Sequence, residues 1–192
     1  MTRHTALLIQ GHQNDLLHES GKLWSSGLGQ HLRDRNVITH LEQLVAHMRE
    51  NDALVVHGLF INDGRLPANA PLFQGISRAG GVLKDSWGAR CLDTLEPVAD
   101  DVVLHKSRES AFVGTILDLT LRRQGVRRLV LAGATTSMGV ETAARAAADL
   151  GYDVVVAVDA CADPVPDAHD ASVTYTLPVL AEIATTSALL TR

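Results

Sequence analysis

Hydrophobic positions along the chain fall into short continuous runs separated by amphipathic or glycine-rich stretches, a pattern that alternates strand with helix. Ala6-Leu7-Leu8-Ile9, Ala53-Leu54-Val55-Val56-His57, Asp101 to Lys106, Leu129-Val130-Leu131 and Val154 to Val158 are runs of the length that a strand buried on both faces needs. From Asn36 to Glu50, Val37, Leu41, Leu44, Val45 and Met48 recur at helical spacing and predict an amphipathic helix with Asn36 as its N-cap. Val140, Ala143, Ala144, Ala147 and Leu150 predict another, closed by Gly151. A further helix is predicted from about Thr115 to Gln124, with Ile116, Leu119 and Thr120 towards the sheet and Gly125 ending it. At the tail, a helix over 167–176 is expected to end near Pro178, followed by an edge strand over 184–190. Residues 16–35 and 58–100 show no sustained period and read as irregular segments, the second long enough to suggest function.

Strand and helix in alternation predict an α/β fold: one domain over residues 1–192, with a three-layer, six-stranded, mainly parallel Rossmann-like sheet. The centre is the stretch from Leu129 to Asp159, one βαβ unit. Its turn, Gly133 to Gly139, lies at the carboxyl end of a strand and the start of a helix, where open α/β sheets place ligands. A net charge of −5 and a pI near 5.9 give no footprint for nucleic acid or an anionic membrane. No apolar run approaches a membrane span, and the N-terminus runs almost directly into a strand, so a cytoplasmic location is expected. Cys91 and Cys161 read as free thiols, and the nine histidines show no ligand-pair spacing.

The central unit carries a resemblance. Gly133, Thr136, Val140, Thr142-Ala143, Gly151-Tyr152, Val154, Val156 and Asp159-Ala160 resemble the isochorismatase-like family, or cysteine hydrolase superfamily. Gln13-Asn14-Asp15 and Lys106 with Ser110-Ala111-Phe112 extend the likeness to the family's first and third strands. In that alignment Gly139 stands where most members carry the nucleophilic cysteine, and Gly11 where they carry the catalytic aspartate. Lys106, the third member of the triad, is retained. The resemblance also implies a cis peptide at the central turn, a local structural role for Asp15, and a packing position for Cys161. Metal-binding members carry Asp-x-His in the segment after the second strand. Gly58-Leu59-Phe60 offers no equivalent, so no metal or other cofactor is expected.

The candidate catalytic positions are therefore Lys106, Gly11 and Gly139, with His12 as a proton carrier that strand alternation turns away from Gly11. Candidate ligand contacts are Gln10, Trp24, Phe60, Trp87, Phe112, Thr135, Thr136 and Met138. A lysine facing two glycines implies spare volume and a positive charge seeking an anion. Two readings stay open: a small-molecule enzyme of altered, non-thiol chemistry, or an inactive relative that binds a metabolite or partners an active subunit. The resemblance favours a homodimer or homotetramer.

Overall fold

The computed structural model describes residues 4–191; the first three residues of the lead into the first strand lie outside them. The strands are β1 (Thr5–Gln10), β2 (Leu54–Phe60), β3 (Val102–Lys106), β4 (Arg128–Ala134), β5 (Asp153–Ala162) and β6 (Glu182–Ala184). They form one six-stranded sheet in the order β3-β2-β1-β4-β5-β6, and all pairings are parallel. The sheet is buried on both faces because successive residues of each strand serve opposite layers. Leu7 and Ile9 join one core with Val55, Val130 and Val155, while Ala6 and Leu8 join the other with Val56, Leu129, Leu131 and Val156.

Of the helices, α1 (Asn14–Leu17) and α2 (Leu28–Asp34) follow β1, and α3 (Val37–Glu50) leads into β2. Helix α4 (Pro71–Ala79) interrupts the long segment before β3, α5 (Leu117–Arg123) precedes β4, and α6 (Glu141–Asp149) links β4 to β5. Helices α7 (Pro166–Ala171) and α8 (Thr186–Leu190) complete the chain. Helix α3 buries the predicted residues, Val37, Leu41, Leu44, Val45 and Met48, in the first core. Asn36 occupies its N-cap position with a left-handed backbone, φ 51°, and no side-chain cap bond.

Three expectations are corrected. Helix α5 buries Leu117 and Leu121, an i, i+4 pair, whereas Ile116 and Leu119 are exposed; Ile116 precedes the first turn, so the spacing that counts begins one residue later. The predicted edge strand over 184–190 is a three-residue strand followed by α8. There Thr185 Oγ1 accepts from the Ala188 N–H and Asp159 Oδ1 accepts from both the N–H and the hydroxyl of Thr186, which turns the chain into a helix. The segment 58–100 contains α4, which starts at Pro71 and ends on left-handed Gly80. Its apolar residues Leu72, Phe73 and Ile76 do stand at helical spacing, but over nine residues with none fully buried the stripe is too short to stand out within the segment.

Candidate active site

Strand order, not chain direction, reverses between β1 and β4: β2 and β3 build outward from β1, and β5 and β6 build outward from β4. The crevice beyond the carboxyl ends of these two strands is the switch point of the sheet. Here the backbones approach more closely than side chains permit. Gly11 has φ +62°, and a Cβ on it would lie 2.1 Å from the Ala134 carbonyl oxygen. Gly133 has φ +116°, and its Cβ would lie 2.0 Å from the Gln10 carbonyl oxygen. The Ala134–Thr135 peptide is cis, and a wide π-helical turn, Thr136–Val140, carries the chain into α6.

A cavity of about 320 Å³ opens at this point. Leu16, Leu23 and Leu28 from the β1–α3 connection and Leu72 and Ile76 from α4 give it apolar walls. Gly11, Ala134 and Thr135 form the floor, and the charged groups are Lys106 and Glu109. The Lys106 ammonium donates to the carbonyls of Arg108 (3.1 Å) and Glu109 (2.7 Å) and lies 5.3 Å from the centroid of the Phe60 ring. Burial pulls its pKa down to about 8, with the Glu109 charge opposing the shift. The same burial raises the pKa of the Glu109 carboxyl, which Lys106 partly offsets. Lys106 thus has a carboxyl neighbour, and the unpartnered ammonium expected from the sequence is not what the fold builds.

The position of Gly139 is open. A Cβ there would have Ala134 O at 3.7 Å and both Gln10 Nε2 and Glu109 Oε2 at 3.9 Å, all ordinary contacts. Gly11 and Gly139 therefore flank one carbonyl oxygen, and Glu109 reaches the Gly139 position. Gln10 donates to the Gly139 carbonyl (2.8 Å), and its own Oε1 is buried without a partner among the described residues. Glu109 was not singled out by the sequence reading, although it stands inside the Lys106 to Phe112 motif, three residues after the lysine.

Of the candidate ligand contacts, Phe60 and Thr135 line the cavity. Several other candidates lie elsewhere. His12 turns into the layer beneath, within 2.8 Å of His57. Trp24 packs against Gly29 with the Arg33 guanidinium 5.1 Å from its ring centroid, pinning the loop. Trp87 is 43% exposed and meets His18 edge-on, on a separate groove. Phe112 packs on Tyr152. The Thr136 hydroxyl bonds His169 Nδ1 at 2.8 Å, and Met138 is partly exposed with its carbonyl accepting from Thr142. Sequence proximity to the turn did not predict these directions, because the wide turn rotates successive side chains by an amount set by its packing.

Gln13, Asn14 and Asp15 act as a clasp on the long insertion. Gln13 donates to the carbonyls of Phe60 and Ala89 and accepts from the Phe60 N–H. Asn14 donates to the Trp87 carbonyl. The Asp15 carboxylate accepts from the N–H groups of Lys22 (3.1 Å) and Val82 (2.6 Å), the structural role foreseen for it. On the other side Asp163 Oδ2 accepts from both the N–H and the hydroxyl of Ser137, holding the start of the wide turn. After β2, Asn62 Oδ1 accepts from Gly64 N–H and Asp63 pairs with Arg65. No carboxylate and imidazole converge there among the described residues, so this segment does not fit a rim metal.

Comparison with known proteins agrees with this architecture. The isochorismatase domain matches residues 5–188. The isochorismatase family protein YecD of Escherichia coli O157:H7 is 36% identical over 102 residues, which span 53% of this chain and 54% of that protein. A probable inactive nicotinamidase of Arabidopsis thaliana is 30% identical over 177 residues, 89% of this chain and 87% of that one. An isochorismatase family protein from Desulfovibrio vulgaris superposes with a TM-score of 0.85 at 27% identity, covering 100% of both chains. With the domain match spanning nearly the whole chain, this chain belongs to the isochorismatase family.

Proposed function

We propose that this chain is a small-molecule enzyme of hydrolase or lyase type whose chemistry needs no thiol, acting on a small anionic or carbonyl metabolite. In this reading Gly11 and Gly139 hold the positions of the family aspartate and cysteine, and Glu109 supplies the proton-carrying group that those glycines lack. Glu109 is the observation that carries the proposal: a carboxyl in the cavity wall, its pKa raised by burial, beside a retained lysine and the open Gly139 position. A carboxyl tuned upward serves as general acid or base near neutral pH. Lys106 and the dipole of the helix start then hold the negative charge that develops on the substrate. The apolar walls suit a ligand with a hydrophobic body and one charged or carbonyl end, and the cavity volume is that of a small-molecule site. A second reading, binding without turnover, is favoured by the description of the Arabidopsis relative as probably inactive.

The test is a panel of small carboxylates, amides, esters and enol ethers assayed for binding and turnover with the wild type, Glu109→Gln and Lys106→Met. Glu109→Gln is expected to lower turnover by about 10²- to 10⁴-fold while ligand binding persists. Lys106→Met removes a charge-assisted bond worth about 1.5–3 kcal/mol, so affinity for an anionic ligand falls roughly 10- to 100-fold. Wild-type affinity for that ligand should also decline as pH rises through about 8, where Lys106 loses its proton. Binding without turnover across the panel supports the second reading. An affinity unchanged by Lys106→Met places the ligand elsewhere.

A further inference from the structure

We infer that His12, His57 and Cys91 form a buried binding site for a divalent transition-metal ion of the zinc class, beneath the floor of the cavity. The donors come from the segment after β1, from within β2, and from the loop between α4 and β3. His12 Nε2 and His57 Nδ1 are 2.8 Å apart, Cys91 Sγ stands 3.5 Å from His12 Nε2, and all three atoms lie within 4.8 Å of one another. Both imidazoles are fully buried and Cys91 nearly so. No sequence spacing links them, since 45 residues separate the two histidines.

With protons alone the cluster is a chain of hydrogen bonds that ends on Asp101. Asp101 Oδ2 lies 3.0 Å from His57 Nε2 and is itself held by Arg49. A carboxylate there keeps the His57 proton on Nε2 and leaves a lone pair on Nδ1, the arrangement that orients imidazole ligands in metal sites. His57 Nδ1 then needs a donor, so His12 carries its proton on Nε2. The Cys91 thiol consequently meets an N–H and not a lone pair. A divalent cation can replace this chain of hydrogen bonds, because the three donor atoms already converge. Cys91 releases its thiol proton to solvent, His12 moves its proton from Nε2 to Nδ1, and three lone pairs converge on the ion. His12 Nδ1 is without a partner among the described residues, so the gain lies in the converging atoms. The ion and thiolate together carry one positive charge, facing the Asp101 carboxylate. Two imidazoles and a thiolate suit zinc, and tetrahedral bonds of about 2.0–2.1 Å to nitrogen require the two rings to part by roughly half an ångström.

Such an ion would tie the end of β1 to β2 and the insertion. His12 adjoins Gly11, and its carbonyl already accepts from the Leu92 N–H at 2.9 Å, next to Cys91. The site is independent of the proposed reaction, and its test does not use activity. The full chain, expressed with zinc in the medium and purified without chelator, should carry about one equivalent of zinc. Unfolded with chelator and refolded with Co²⁺, it should show a thiolate-to-cobalt charge-transfer band, which Cys91→Ala lacks and Cys161→Ala retains. Asp101→Asn should weaken cobalt affinity about 10- to 100-fold through the loss of its bond to His57. X-ray absorption of the wild-type cobalt form, which does not depend on any variant folding, should find one sulfur and two imidazole nitrogens. Only trace metal together with no band after refolding, or a stoichiometric ion with no sulfur ligand, would overturn the site.

Discussion

At position 11 a side chain has nowhere to go. Its backbone is left-handed and its Cβ would press on the Ala134 carbonyl, whereas at position 139 a Cβ meets only ordinary contacts. The two glycines look equivalent in the sequence and are physically opposite. Gly11→Ala should therefore lose more than about 2 kcal/mol, combining the left-handed penalty with a backbone clash. Gly139→Cys should stay within about 1 kcal/mol of the wild type by urea denaturation. Its thiol, next to Glu109 at the cavity, should react with a small alkylating reagent in the native state. The native Cys91 and Cys161 sulfurs, both buried, should resist it. An aspartate at position 11 is barred by the same backbone, so a thiol introduced at position 139 would have to draw on Glu109. Lys106 was legible from its motif because strand alternation fixes where it points. Glu109 was not, because its direction is set by the loop that returns over the lysine.

At the scale of elements, the turn Thr136–Val140 depends on a residue from another part of the chain. Asp163, just past β5, accepts two hydrogen bonds from Ser137 and one from the Val165 N–H. Asp163→Ala leaves the Ser137 groups without their charged acceptor and should cost about 2 kcal/mol or more, read as a lowered urea midpoint. It should also weaken ligand binding, since Thr135 and Pro164, which line the cavity, adjoin the turn and Asp163. Periodicity identified α3 and α6 because each buries one continuous stripe. It missed α4, which buries nothing fully, and misread 186–190, where hydrogen bonds to Thr185 and Asp159 override the preference of the local sequence for strand. The clasp of Gln13, Asn14 and Asp15 was visible as a motif, but its partners at Phe60, Val82, Trp87 and Ala89 lie far along the chain.

For the whole molecule, acid stability depends on burying neutral histidine. His169 is 1% exposed, and burial, reinforced by Arg35 and His31 against Asp170 and Asp163, lowers its pKa from 6.5 to about 4. Its contribution is complete above 6.5 and is lost as pH falls towards 4, because the unfolded chain binds the proton first. Thermal melts over that range should fall less steeply for His169→Gln than for the wild type. The sequence by itself determined the α/β class, the parallel strands, the two-faced core and the turn at the carboxyl end of β4 beside which the cavity opens. Each follows from local periodicity and from the rule that sheets buried on both faces need apolar residues throughout. Tertiary structure alone decided which groups meet in the cavity, that Lys106 has a carboxyl neighbour, and that His12 turns away from the cavity to join His57 and Cys91. Those meetings bring together residues from different strands and loops, and their geometry depends on how closely Gly11 and Gly133 let β1 and β4 approach, a distance that no local pattern of residues encodes.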